Sequence, residues 1–313
     1  MGRALDQKNR KDLYKNNNTT SDDKTNQTER EIIMEDVLSL LNINNTYQER
    51  KNQITKYLNR PNSNYKILQL TVASTTLTYD QKIFTISPSG MLNNKNNFND
   101  GIVLFGYDTD KDTEASSDSK INDFIFPINN LDKTKNGFDF PNFAIYFDIK
   151  DENYYIKDLN TGVGALMKIK KYKIENNTLI NVGSNYLVIQ FEGDDLVIKI
   201  FNNTLLEAEN ANGENGENCS SQKFKIDKTK NIMLTIGRSQ KCDVCIEDMM
   251  LSKTQSCIEY NPEDDNFYLY DGNSKKESTN GTWVYIINPV QITNNFLFKA
   301  EHTLFVANLT KNS

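Results

Sequence analysis

Ile236-Gly237-Arg238-Ser239 is followed in order by Cys242-Asp243-Val244-Cys245-Ile246, Leu251-Ser252-Lys253-Thr254-Gln255, Tyr268-Leu269-Tyr270-Asp271-Gly272 and Ser278-Thr279-Asn280-Gly281-Thr282-Trp283-Val284. Each segment joins a short β-branched or aromatic run to a polar or glycine-bearing corner, the pattern of strands that end in turns. Arg238, Ser252, Thr279 and Asn280 all fall at such corners, where binding residues concentrate.

Outward from this stretch the same texture continues. Residues 196–201, 223–226 and 232–236 precede it and 303–307 follow it as strand-like runs. An earlier set covers 65–70, 82–86, 102–105, 124–127, 143–148, 154–157 and 186–191. Asn, Asp and Gly clusters separate the runs, which predicts antiparallel sandwiches rather than βαβ units. Between the sets, residues 207–218, with Gly213 and Gly216, read as an acidic, flexible excursion. Near the start the period changes. Thr28-Glu29-Arg30-Glu31 is a capping-box pattern ahead of Ile32, Ile33, Val37, Leu38, Leu40 and Leu41 at helical spacing. Thr46-Tyr47-Gln48-Glu49 opens a second helix carrying Ile54, Tyr57 and Leu58, which Pro61 ends. The expected fold class is all-β. A disordered segment 1–27 and a helical hairpin 28–62 precede two tandem antiparallel β-sandwiches, 63–193 and 194–313. The hairpin is short, so its apolar stripe must dock on the neighbouring sandwich or on a partner helix.

With 313 residues, 37% hydrophobic and 25% charged, the chain falls in the globular class and has room for two domains. Its formal net charge of −6 disfavours a nucleic-acid partner. No run approaches the length of a membrane helix, the polar N-terminal stretch is unlike a signal peptide, and Asp6 stands where a myristoylation motif needs Ser or Thr. The expectation is an intracellular protein, cytoplasmic or cytoskeletal, without a membrane partner.

The ordered landmarks from 236 to 284 resemble the forkhead-associated (FHA) family, and the resemblance covers roughly residues 194–310. It implies a β-sandwich that binds phosphothreonine peptides. Arg238 and Ser252 would hold the phosphate and Asn280 the peptide backbone, with Lys253 and Thr279 beside them. Gly237, Gln255 and Gly281 would support the loops. A phosphothreonine offers about −1.5 to −2 charge and three acceptor oxygens. Arg238 matches them with a charged fork, Ser252 with a hydroxyl, and Asn280 with a group that both donates and accepts. Lys241, Lys275 and Lys276 add local positive charge to an acidic chain. Two departures stand out. Gln255 replaces a histidine common in the family, and Asn273-Ser274-Lys275-Lys276-Glu277 enlarges the loop before Asn280.

The first strand set resembles a degenerate copy. Val103-Leu104-Phe105-Gly106-Tyr107 puts Tyr107 where the arginine belongs, Phe143-Ala144-Ile145-Tyr146-Phe147 lacks the serine, and Val163 stands in the place of the asparagine. This copy is expected to pack or to bind protein without phosphate.

Other chemistry is thinly represented. Cys242-x-x-Cys245 has the spacing of half a zinc site, but Cys219 and Cys257 do not supply the other half, so no metal or cofactor is expected. Asp108-Thr109-Asp110-Lys111-Asp112 starts like a calcium loop, with Thr113 and Ser119 in place of the Gly and Glu it needs. There is no Gly-rich phosphate loop with lysine and no nucleophile elbow, and His302 is the single histidine, so an enzyme is not expected. The leading expectation is a phosphothreonine-binding adaptor or scaffold that also meets other protein subunits through the hairpin and the degenerate unit. The alternative is a constitutive structural subunit of a large cytoskeletal or ciliary assembly.

Overall fold

A computed structural model describes residues 29–61, 64–76, 79, 81–92, 98–107, 121–126, 141–161, 164–193, 195–202, 219–226, 232–273 and 275–311. Segment 1–27, Thr28, the calcium-like start at 108–112, Val163 and the acidic excursion 207–218 lie outside the described residues. The chain divides into two compact units. One comprises Met1–Ala165, Ile286–Phe296 and Ala300–Ser313, the other Leu166–Tyr285 and Leu297–Lys299. The sequence places a boundary between 193 and 194, a point that falls inside the second unit.

In the first unit, helices α1 (Glu29–Leu40) and α2 (Tyr47–Leu58) form the expected hairpin. The second capping box is present: the Glu49 amide donates to Thr46 Oγ1 at 3.3 Å and the Thr46 amide to Glu49 Oε2 at 2.9 Å. Strands β1 (Lys66–Thr75), β2 (Ile83–Ser87), β3 (Gly90–Met91), β4 (Ile102–Gly106), β5 (Phe124–Ile125), β6 (Phe143–Asp148) and β7 (Asn153–Asp158) follow. Met34, Val37, Leu38, Leu41 and Tyr47 pack on Ile102, Leu104, Ala144 and Tyr146. The helical stripe is therefore covered by its own unit, which explains why β4 is buried on both faces. On the other face Phe105 stacks on Phe143 with ring centroids 4.5 Å apart and on Phe124 at 5.0 Å.

Arg30 is buried under α1 and satisfies its fork completely. It pairs with Asp100 at 3.1 Å and Asp123 at 2.9 Å and donates to the carbonyls of Ile121 and Ile102. Despite the cost of burial, the two carboxylates hold this guanidinium firmly protonated.

The second unit runs through β8 (Ala165–Ile169), β9 (Lys171–Lys173), β10 (Thr178–Val182), β11 (Asn185–Glu192), β12 (Asp195–Asn202), β13 (Cys219–Lys225), β14 (Met233–Gly237), β15 (Val244–Cys245), β16 (Ser256–Asn261), β17 (Asn266–Asp271) and β18 (Thr282–Tyr285). One sheet has the order β15-β14-β16-β17-β9, and the other contains β13-β12-β11-β10-β18-β8. Ile180, Leu187, Ile189, Ile198, Ile236, Ile258 and Leu269 are fully buried. Alternation along β11 and β17 gives each strand one inward face, as a sandwich requires.

After β18 the chain forms β19 (Val290–Gln291), β20 (Phe296–Ala300) and β21 (Thr303–Lys311). Here β19 pairs with β7, and β21 runs antiparallel to β1 from Lys66–Lys311 to Thr75–Thr303. The five-stranded sheets of the two units thus have the same plan: β5-β4-β6-β7-β19 and β15-β14-β16-β17-β9. In both, the short second strand is parallel to the first (Gly106 opposite Ile125, Gly237 opposite Cys245). In both, the closing strand lies on the opposite side of the 193/194 point in the sequence from the four strands it completes. This exchange is why no cut between 193 and 194 separates the units.

Candidate functional site

Three loops of the second unit carry the sequence-predicted residues. Arg238 follows β14, Ser252 and Lys253 precede β16, and Thr279 and Asn280 precede β18. The first two loops are joined by their backbones: the Arg238 amide donates to the Ser252 carbonyl and the Ser239 amide to the Lys253 carbonyl, both at 3.2 Å. This approach explains Gly237, because a Cβ there would collide with the Lys253 carbonyl. The third loop joins through Ser252. Its Oγ accepts the Thr279 amide at 3.0 Å and donates to Thr279 Oγ1 at 3.3 Å. Asn280 Nδ2 donates to the Met250 carbonyl at 2.7 Å, while the Asn280 carbonyl accepts Trp283 Nε1 at 3.0 Å. Gly281 turns the chain at φ +77°, a conformation that disfavours side chains with Cβ.

Gln255 lies beneath these loops, fully buried. Its Oε1 accepts the Ser252 amide at 3.0 Å, and its Nε2 donates to Ser278 Oγ at 2.8 Å and the Gly281 carbonyl at 2.9 Å. Ser278 Oγ donates in turn to Asp271 Oδ1 at 2.6 Å. The loops are therefore preorganised from below by buried polar bonds.

Above them the side chains of Arg238, Lys253, Thr279 and Asn280 are exposed and Ser252 is half-buried. Among the described residues the Arg238 guanidinium and the Lys253 ammonium form no ion pair, and Lys241, Lys275 and Lys276 are exposed nearby in the same loops. This surface offers fixed donors and unneutralised cations to an anion. Cys242 and Cys245 are free, half-buried thiols, and Cys242 Sγ donates to the Lys253 carbonyl at 3.1 Å.

Sequence reasoning did not single out Asp248. Its carboxylate caps the turn before Ser252, accepting the Met250 amide. The signal was faint, a lone Asp between Glu247 and two methionines. In the first unit the corresponding corner carries Tyr107, whose carbonyl accepts Asn122 Nδ2 at 3.0 Å, and Tyr107 packs on Phe126 at 5.8 Å.

The sequence of residues 234–300 matches the FHA domain family. No curated protein and no solved structure matches the chain. No helix among the described residues is long and apolar enough to cross a membrane.

Proposed function

We propose that this chain is a phosphothreonine-reading adaptor, since residues 234–300 match the FHA domain, a phosphopeptide-binding protein-interaction module. The single observation that carries the reading is the convergence of Arg238, Ser252, Thr279 and Asn280 on backbone-locked loops within the matched segment. Arg238 and Lys253 receive the phosphate as cations, and Ser252 adds a hydroxyl donor. Asn280, already fixed by Met250 and Trp283, grips the peptide backbone. No step breaks a bond. The reading is of a binding module rather than an enzyme.

The first unit is a second copy that lost this chemistry. The shared sheet plan supports that reading, as does Tyr107 in the register position of Arg238. A neutral phenol cannot replace a guanidinium opposite a dianion. Contacts with other protein subunits fall to this unit and its hairpin, on which Ile32 stays 49% exposed.

The test is binding of the full chain to a phosphothreonine-peptide library, wild type against Arg238→Ala. Arg238 is exposed, so the variant keeps the fold. Loss of one charge-assisted interaction of about 1.5–3 kcal/mol predicts a drop of roughly tenfold or more. Binding indifferent to the phosphate or to Arg238 sinks the reading.

A further inference from the structure

The Ser252 loop rests on Asp248, whose hydrogen bonds reach beyond the matched residues 234–300. Asp248 Oδ2 accepts three hydrogen bonds, from the Ser184 amide at 2.9 Å, Ser184 Oγ at 2.8 Å and Asn185 Nδ2 at 2.9 Å. Its Oδ1 accepts the Met250 amide at 2.7 Å. Burial pulls this carboxyl upward, yet the bonds from Ser184, Met250 and Asn185 outweigh it and hold the group below the ordinary carboxylate range. Ser184 and Asn185 lie at the tip of the β10–β11 hairpin, outside residues 234–300.

The hairpin is shaped for this contact. Gly183 has φ +59°, and a Cβ there would collide with the Asp248 carboxylate and sit 3.1 Å from Leu251 Cδ2. Leu251 is buried, whereas Met249 and Met250 are 85% and 61% exposed. Apolar packing therefore fixes the loop at one residue only, and the carboxylate fixes the part between Asp248 and Leu251. Met250 is the link to the ligand side. Its amide is held by Asp248, and its carbonyl holds Asn280 Nδ2.

We propose that Asp248 is a positioning residue of the phosphothreonine site, locking the Met250–Ser252 segment, and through it Asn280, onto the β10–β11 turn. The inference rests on the phosphothreonine reading above. A neutral residue of the same shape cannot do the same: the carboxamide of an Asp248→Asn variant presents donors where the turn already offers three. The site then loosens without any change in the groups that touch the ligand.

The experiment uses the full chain, the best phosphothreonine peptide from the library, and Asp248→Asn beside wild type and Arg238→Ala. Asp248→Asn is expected to weaken binding about tenfold, a factor equal to about 1.4 kcal/mol. In amide NMR spectra the Asn280 side-chain pair and the Met250 amide should shift, while the Ile258 and Leu269 amides stay in place. A purely bracing role would lower the melting temperature without moving the Asn280 pair. A folded Asp248→Asn protein that binds within about twofold of wild type, or whose Asn280 resonances do not move, overturns the proposal. Should Asp248→Asn fail to fold, Ser184→Ala decides. A loss of about two- to fivefold supports the lock, and unchanged affinity overturns it. Failure of the phosphothreonine reading itself would show differently, as Arg238→Ala binding like wild type.

Discussion

Gln255 Oε1 accepts the backbone amide of Ser252 at 3.0 Å, so a fully buried side chain sets the orientation of an exposed loop. The family resemblance leads one to expect histidine at this position. Glutamine serves because one oxygen and one NH2 group satisfy Ser252, Ser278 and Gly281 together. Gln255→Leu keeps the volume roughly but abandons those partners in a buried place. It should destabilise the chain by about 2–3 kcal/mol, measured by urea unfolding, and weaken phosphopeptide binding more than proportionally. Unchanged stability would mean that water replaces the amide.

How much of this was legible in the sequence depends on the kind of signal. The β texture, the second capping box of the hairpin and the loop positions of Arg238, Ser252 and Asn280 were all local patterns, set by neighbours in the chain. The exchange of closing strands was not legible. Residues 290–311 follow β18 in the linear order expected of one sandwich, and the family match itself runs on to residue 300. The sequence order is the same whether β19 pairs at home or with β7, so only the three-dimensional pairing decides. Asp248 was missed for a similar reason, since its partners beyond its own loop, Ser184 and Asn185, lie more than 60 positions away.

The exchange makes a sharp prediction about fragments. A fragment 194–313 lacks β9, β10 and β11, and so lacks one of the two strands that flank β12 along its length, together with the fully buried Ile180, Leu187 and Ile189. Burial of three such side chains contributes roughly 1.5–3 kcal/mol each, comparable with the whole stability of a typical domain at about 5–15 kcal/mol. This fragment should show no cooperative thermal transition by circular dichroism. A fragment 166–285, which retains the strands from β9 to β18, should show one and should keep Arg238-dependent binding. The opposite ranking would refute the exchanged pairing.

Arg30 offers a test of the first unit alone. Arg30→Met removes the cation shared by Asp100 and Asp123, both nearly fully buried, and leaves Asp123 with the Leu104 amide and Asp100 with Tyr47 and the nearby Arg50. Breaking a buried pair from one side costs about 3–5 kcal/mol, which chemical denaturation would register directly. Adding Asp123→Asn to Arg30→Met should recover part of the loss, because a neutral amide needs no counter-ion. A double variant no better than the single one would assign the damage to lost packing of the arginine stem.

Lys299 gives a pH signature in the second unit. Its Nζ donates to Asn181 Oδ1 at 2.5 Å and lies 4.7 Å from the centre of the Trp283 ring, with no carboxylate partner among the described residues. Burial pushes its ammonium down to about 8. Between that value and the ordinary lysine value of about 10.4, the unfolded chain binds the proton that the folded chain has released. Folding stability attributable to Lys299 therefore rises with pH across this window and is flat below it. Other groups titrate there too, Cys257 being pushed up to about 11, but they are common to wild type and Lys299→Met. The difference in unfolding free energy between the two proteins should be constant from pH 6 to about 7.5 and then shift towards wild type up to about pH 10. A difference that stays flat throughout would show that Lys299 reaches water and keeps its ordinary charge.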